Sequence, residues 1–297
     1  MIKSILSHFS HPFFSQILEI EQIDSGYSTD LKFKVITQDE SSYFIRLVLG
    51  SKTHKLKHEY DLLDFFYNQG LNVSKPILYE KNSEGAVLVT TWIKGEILAN
   101  LIKNVSVHEQ ALWGIKSAHL LKRIHQQTLR EEKCEDFYKR KISESMIDFD
   151  LFEMRKELFY IKKFIRSNMH LLYEKPCVIE HSDYHLGNLI AHDDLYVIDF
   201  NGSHTGSLYD EFYKLELFDF EISKTYVKSM IDAYFNSDER FNFFKIHRFY
   251  LAIACVNALR YGLQKDRTIL NHEITRVRRI LYAYDNFKLI YPRWYIS

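Results

Sequence analysis

Residues 178–190 read VIEHSDYHLGNLI and, after a short polar turn, residues 195–200 read LYVIDF. Each apolar run has the length of a buried strand, and polar residues sit at the ends: His181, Asp183 and Asn188 on the first, Asp199 on the second. A hairpin of two such runs brings three oxygen-bearing side chains together. Carboxylate and carboxamide oxygens are hard ligands that suit Mg²⁺. A carboxylate within hydrogen-bond reach of a hydroxyl can also take its proton during attack.

A chain of 297 residues exceeds the usual size of one hydrophobic core, so two lobes are expected, and 46% hydrophobic residues supply ample interior. The net charge of +0 offers no bulk attraction to nucleic acid or to an anionic membrane. A locally basic C-terminal stretch, with Arg276, Arg278, Arg279, Lys288 and Arg293, reads as a solvated helix face. Cys134, Cys177 and Cys255 are odd in number and far apart, which argues against a disulfide framework or structural zinc and for a reducing cytoplasm. His8, His11, Ser15 and Gln16 interrupt the N-terminal apolar residues, so no signal peptide is expected. The longest apolar run, 250–256, is too short to span a bilayer.

Along the first third, apolar alternation predicts strands over 18–23, 31–36 and 43–49, with Gly26 at the first bend. Leu56, Tyr60, Leu63, Phe66 and Tyr67 then recur at helical spacing, with Gly70 at the C-cap position, before strands near 77–79 and 86–91. Beyond Gly95 the pattern turns helical, near 106–126, 150–173, 208–235, 241–263 and 270–287, and the hairpin is the one β signal. The expected class is therefore α+β and bilobal. Residues 1–93 form a small antiparallel β-rich lobe with one helix, and residues 94–297 form a larger, mainly helical lobe, with the hinge at 92–97.

This order of elements and motifs resembles the aminoglycoside phosphotransferase and choline kinase branch of the protein-kinase-like fold, over roughly residues 18–235. The resemblance implies a small-molecule kinase that uses ATP or GTP with Mg²⁺. Asp183 would be the catalytic base and His181 would support its loop. Asn188 and Asp199 would hold the metal. Ser25, Gly26, Tyr27 and Ser28 would lie over the phosphates, and Arg46 would contact them, paired with Glu59. The backbone of the connector at Thr91, Trp92 and Ile93 would bind the purine. Asp210, in the GSLYD stretch at 206–210, would steady the catalytic loop. Two departures stand out: Ser182 replaces the glycine usual between His and Asp, and Asn201 stands where relatives often have Gly, Asp or Glu.

For the acceptor, acidic residues are plentiful at Glu131, Glu132, Glu135, Asp136, Asp148, Asp150, Asp210, Glu211, Glu216, Asp219 and Glu221. Carboxylates in a cleft would draw a polycationic amino sugar. This favours an aminoglycoside or related amino alcohol, with antibiotic resistance as one cellular role. A choline- or homoserine-type metabolite, or a non-catalytic spore-coat kinase-like binding protein, is the alternative. A more distant reading takes His181, Asp183, His185 and His192 as transition-metal ligands of a hydrolase. No second His/Asp cluster supports it.

Overall fold

A computed structural model describes residues 6, 8–24, 30–50, 53–129, 142, 151–174 and 176–296. The phosphate-loop candidates Ser25, Gly26, Tyr27 and Ser28 lie outside these, as do Glu131, Glu132, Glu135, Asp136, Asp148 and Asp150. The chain divides into two compact units: residues 1–97 with 188–203, and residues 98–187 with 204–297. Asn188 and Asp199, assigned from sequence to the C-terminal lobe, thus fold with the first unit.

In the first unit, β1 (Ile17–Gln22), β2 (Leu31–Thr37), β3 (Ser42–Leu49), β4 (Pro76–Lys81) and β5 (Gly85–Thr91) form one antiparallel sheet in the order β1-β2-β3-β5-β4. Side chains alternate across its faces. Phe33, Val35, Ile45, Leu47, Val87 and Val89 turn to one face, where Phe9 and Phe13 complete the core. Arg46, between Ile45 and Leu47, turns to the other face, toward α1 (His54–Asn68). Gly70 ends α1 at φ +70°, a left-handed backbone that glycine adopts without steric cost. Phe66 of α1 packs on Phe200, with ring centroids 5.4 Å apart.

The opening hairpin is rearranged relative to expectation. The run at 178–190 is two strands: β7 (Cys177–Glu180) pairs with β10 (His204–Ser207) in the second unit. Meanwhile β8 (Leu189–Ala191) pairs with β9 (Leu195–Val197) and with β6 (Glu96–Ile97) in the first. The break falls where Leu186–Asn188 forms a 3₁₀ turn.

In the second unit, α2 (Val107–Thr128) begins with a capping box in which the Ser106 and Glu109 side chains each bond the other's amide. It packs against α4 (Lys224–Tyr234), while α3 (Arg155–Ser167), α5 (Glu239–Gln264) and α6 (Arg267–Ala283) build the rest. The single helix expected over 208–235 is instead a 3₁₀ turn at Asp210–Phe212, a π turn at Leu215–Asp219 and α4. Ser223 restarts the helix as an N-cap, its hydroxyl accepting the Tyr226 amide at 3.0 Å. Buried Glu216 accepts from Tyr284 Oη, from Trp294 Nε1 at 3.2 Å and from the His247 ring at 3.0 Å, tying down the C-terminus. Cys255 is a buried free thiol, whereas Cys177 is disulfide-bonded, a bond that the expected lack of a disulfide framework did not foresee. Among the described residues no helix is long and apolar enough to cross a membrane.

Gly114 marks the closest approach of α2 to α4: a Cβ there would lie 2.6 Å from the Tyr226 carbonyl oxygen. Helix propensity alone would make Gly114→Ala stabilising by about 1 kcal/mol. The backbone clash reverses the sign, and a destabilisation of about 1–3 kcal/mol is expected from the denaturant midpoint.

Candidate active site

In the first unit the site is built around one buried cation. Arg46 is 2% exposed, and it donates from Nη1 to Glu59 Oε2 at 2.7 Å and from Nη2 to Asp199 Oδ1 at 2.8 Å. Burial disfavours the charged guanidinium, but the two carboxylates outweigh it and push its pKa further up. Burial also lifts Glu59 to about 7 against the opposing pull of Arg46. Asp199 sits at φ +70°, at the end of β9 and before the 3₁₀ turn Phe200–Gly202. The Ile198 amide donates to the Asn188 carbonyl at 3.0 Å, extending the β8–β9 ladder so that Asn188 and Asp199 flank the same end of the hairpin. A carboxylate, a carboxamide oxygen and a guanidinium whose buried Nε has no acceptor among the described residues suit a metal-bound polyphosphate.

At the connector, the Thr91 amide donates to Lys75 O at 2.9 Å and the Trp92 amide to Ser42 O at 3.1 Å. These two N–H groups are therefore engaged within the sheet, and Ile93 follows them in the chain.

The catalytic-loop candidates lie in the second unit. His181 is fully buried, and its Nδ1 accepts the Asp183 amide at 3.2 Å. Ser182, which stands in the glycine position, is held at φ +64°; the left-handed conformation explains why glycine suits that place. Asp183 Oδ1 is met by two cationic or donor groups: the Lys214 ammonium in direct contact, and His185 Nε2 at 3.3 Å. Because His185 Nδ1 accepts the Gly187 amide at 3.1 Å, its proton belongs on Nε2, facing Asp183. Burial raises the Asp183 pKa, but the His185 hydrogen bond and the Lys214 charge win and hold the carboxyl well below the usual range.

Residues 211–219 pin this loop at both ends. Glu211, buried, accepts the His181 and Ser182 amides at 2.5 and 3.0 Å. Asp219, also buried, accepts the Leu186 amide at 3.1 and 3.2 Å. Glu211, next in sequence to the expected Asp210, thus accepts two of the loop amides. Sequence reading missed Lys214, and took Asp219 for an acid of the acceptor cleft instead of an anchor of the loop. Their one signal was charge spaced along a segment read as a plain helix. The acidic acceptor surface expected from sequence is corrected in part: Asp210, Glu211, Glu216 and Asp219 are buried, and Glu221 pairs with Arg276 at 2.8 Å. Among the described residues no group of three or more His, Cys, Asp or Glu is placed to hold a metal, which counts against the hydrolase reading of His181, Asp183, His185 and His192.

Burial lifts the Asp219 carboxyl to about 7, so the folded state holds its proton more tightly than the unfolded state does. Stability linked to this group is present at acidic pH and falls as pH rises from about 4 to 7. Asp219→Asn keeps an acceptor for the Leu186 amide and removes the ionisation. Its melting temperature should therefore gain on the parent between pH 5 and pH 8; an unchanging difference would count against this assignment.

The family profile described as phosphotransferase enzyme family matches residues 19–244. A comparison with curated protein sequences finds no match. Among solved structures, the gentamicin complex of the aminoglycoside phosphotransferase APH(2")-IIa is similar at TM-score 0.61 and 19% identity, covering 93% of this chain and 95% of its own. The choline kinase LicA from Streptococcus pneumoniae is similar at 0.61 and 18%, covering 95% and 98%. The GDP complex of an aminoglycoside 2'-phosphotransferase-IIIa mutant reaches 0.66 at 11% identity, covering 92% and 94%. The fold is protein-kinase-like.

Proposed function

We propose that the chain, which belongs to the phosphotransferase enzyme family, is a small-molecule kinase that moves the γ-phosphoryl group of ATP or GTP to a hydroxyl of an amine-bearing alcohol. The observation that carries this reading is Asp183: a partly exposed carboxylate on a loop whose flanking amides are fixed by Glu211 and Asp219. Such a loop holds an acceptor oxygen in one orientation, and positioning supplies much of the catalysis in phosphoryl transfer. Asp183 accepts the hydroxyl's hydrogen bond and takes its proton. Its depressed pKa makes it a weak base, which suits a loose transition state that needs the proton removed late.

Asn188 and Asp199 would hold Mg²⁺, which when bound neutralises charge on the nucleotide phosphates. Arg46 would contact those phosphates while Glu59 keeps its guanidinium in place. Ile93 would offer its backbone to the purine, since the Thr91 and Trp92 amides are engaged. Support for an amine-bearing acceptor comes from structural likeness to enzymes named for aminoglycosides and choline. The described acidic residues lend it little, being internal or paired.

Turnover is read by coupled nucleoside-diphosphate release with aminoglycosides and small amino alcohols, and Mg-nucleotide affinity by calorimetry. Asp183→Ala should lower acceptor-dependent turnover by about 10²- to 10⁴-fold with the nucleotide dissociation constant within about twofold of the parent. Asp199→Ala should weaken Mg-nucleotide binding as well. Equal turnover by Asp183→Ala and the parent would remove Asp183 as the base.

A further inference from the structure

We propose that Lys214 is a further catalytic residue, contacting the phosphoryl group as it passes to the acceptor oxygen that Asp183 holds. The inference rests on the kinase reading above and concerns a side chain outside the motif that suggested it.

Lys214 leaves the segment between the two loop anchors, Glu211 and Asp219, and places its ammonium directly on Asp183 Oδ1, with the Tyr213 ring 5.8 Å away. A stabilising ion pair is an incomplete explanation: Lys214 is 16% exposed but Asp183 is 38% exposed, and a pair that water reaches on the carboxylate side contributes little, about 0–1 kcal/mol. Nor is the cation there to aid proton abstraction: it weakens Asp183 as a base, which a loose transition state tolerates because the proton leaves late. It does serve a reaction whose charge lies on phosphoryl oxygens, where a cation in place before the reaction stabilises the transition state.

The reach is sufficient. An acceptor oxygen hydrogen-bonded to Asp183 lies about 2.7 Å from the carboxylate, and phosphorus approaches that oxygen at about 3–3.5 Å. The phosphoryl oxygens therefore arrive beside the group on which Lys214 already sits. An ammonium carries three donors on a flexible four-carbon stem, and Asp183 Oδ1 uses one of them. In the step, the acceptor oxygen forms the new bond to phosphorus. The bond from phosphorus to the β–γ bridging oxygen breaks, its electron pair leaves with the nucleoside diphosphate, and the hydroxyl proton goes to Asp183. Lys214 changes no covalent bond; it follows the charge.

The test needs no acceptor. Calorimetry measures MgADP and MgGDP binding to the full chain, each with and without fluoroaluminate, whose fluoride-bearing aluminium stands in for the phosphoryl in flight. In the parent, fluoroaluminate should tighten binding of the preferred diphosphate. In Lys214→Met the diphosphate alone should bind within about twofold of the parent, which also reports folding, while the tightening falls by at least about tenfold. Lys214→Arg should restore part of it. Equal tightening in Lys214→Met and the parent, or none in a parent that binds the diphosphate, would overturn the role of Lys214. A parent that binds neither diphosphate would overturn the kinase reading beneath it.

Discussion

A guanidinium buried to 2% exposure cannot remain charged without partners, and the first unit is organised around meeting that demand. Arg46 is fixed by strand alternation on the α1 side of the sheet. It draws Glu59 from one turn of the helix and Asp199 from a loop 153 residues away in sequence. Breaking either contact leaves charge stranded in a low-dielectric setting, so sheet, helix and hairpin are specified together. The left-handed backbone at Asp199 is part of the same arrangement, because it directs the carboxylate where the hairpin ends.

The second unit solves a different problem, holding a short irregular loop rigid. Residues 181–186 lack a full ladder of strand or helix bonds, and their amides need acceptors. Two buried carboxylates of the 211–219 segment supply them, Glu211 at the start of the loop and Asp219 at its end. Burial costs these carboxylates differently. Glu211 receives two amides and faces His125, and its pKa is held down despite burial; Asp219 has weaker compensation and rises to about 7. Between the two anchors, Lys214 and His185 converge on Asp183.

Much of this was legible in the sequence where the signal is periodic. The five-stranded sheet, α1 with its Gly70 cap and the long C-terminal helices follow from alternation and helical spacing. The hairpin was misread because apolar content cannot say which partner a strand takes: β7 pairs with β10, a strand of His, Thr, Gly and Ser with no hydrophobic signature. The helix read over 208–235 failed for a related reason. Its polar residues are recruited by the loop amides and by the Ser223 cap, and those tertiary hydrogen bonds override local propensity. Charge was misjudged most plainly at Glu216, whose carboxylate is enclosed by Tyr284, Trp294 and His247 although the sequence placed it among surface acids. A residue count carries no record of such pairing.

The most direct measurement of the central claim is transfer of label. The chain is incubated with Mg²⁺ and γ-labelled ATP or GTP together with amine-bearing alcohols, and the products are resolved for label in a phosphate monoester. The account predicts stoichiometric movement of label from the nucleotide to one acceptor hydroxyl. Label that remains on the nucleotide or appears only as inorganic phosphate, with every acceptor unmodified and the Mg-nucleotide complex demonstrably formed, would contradict it.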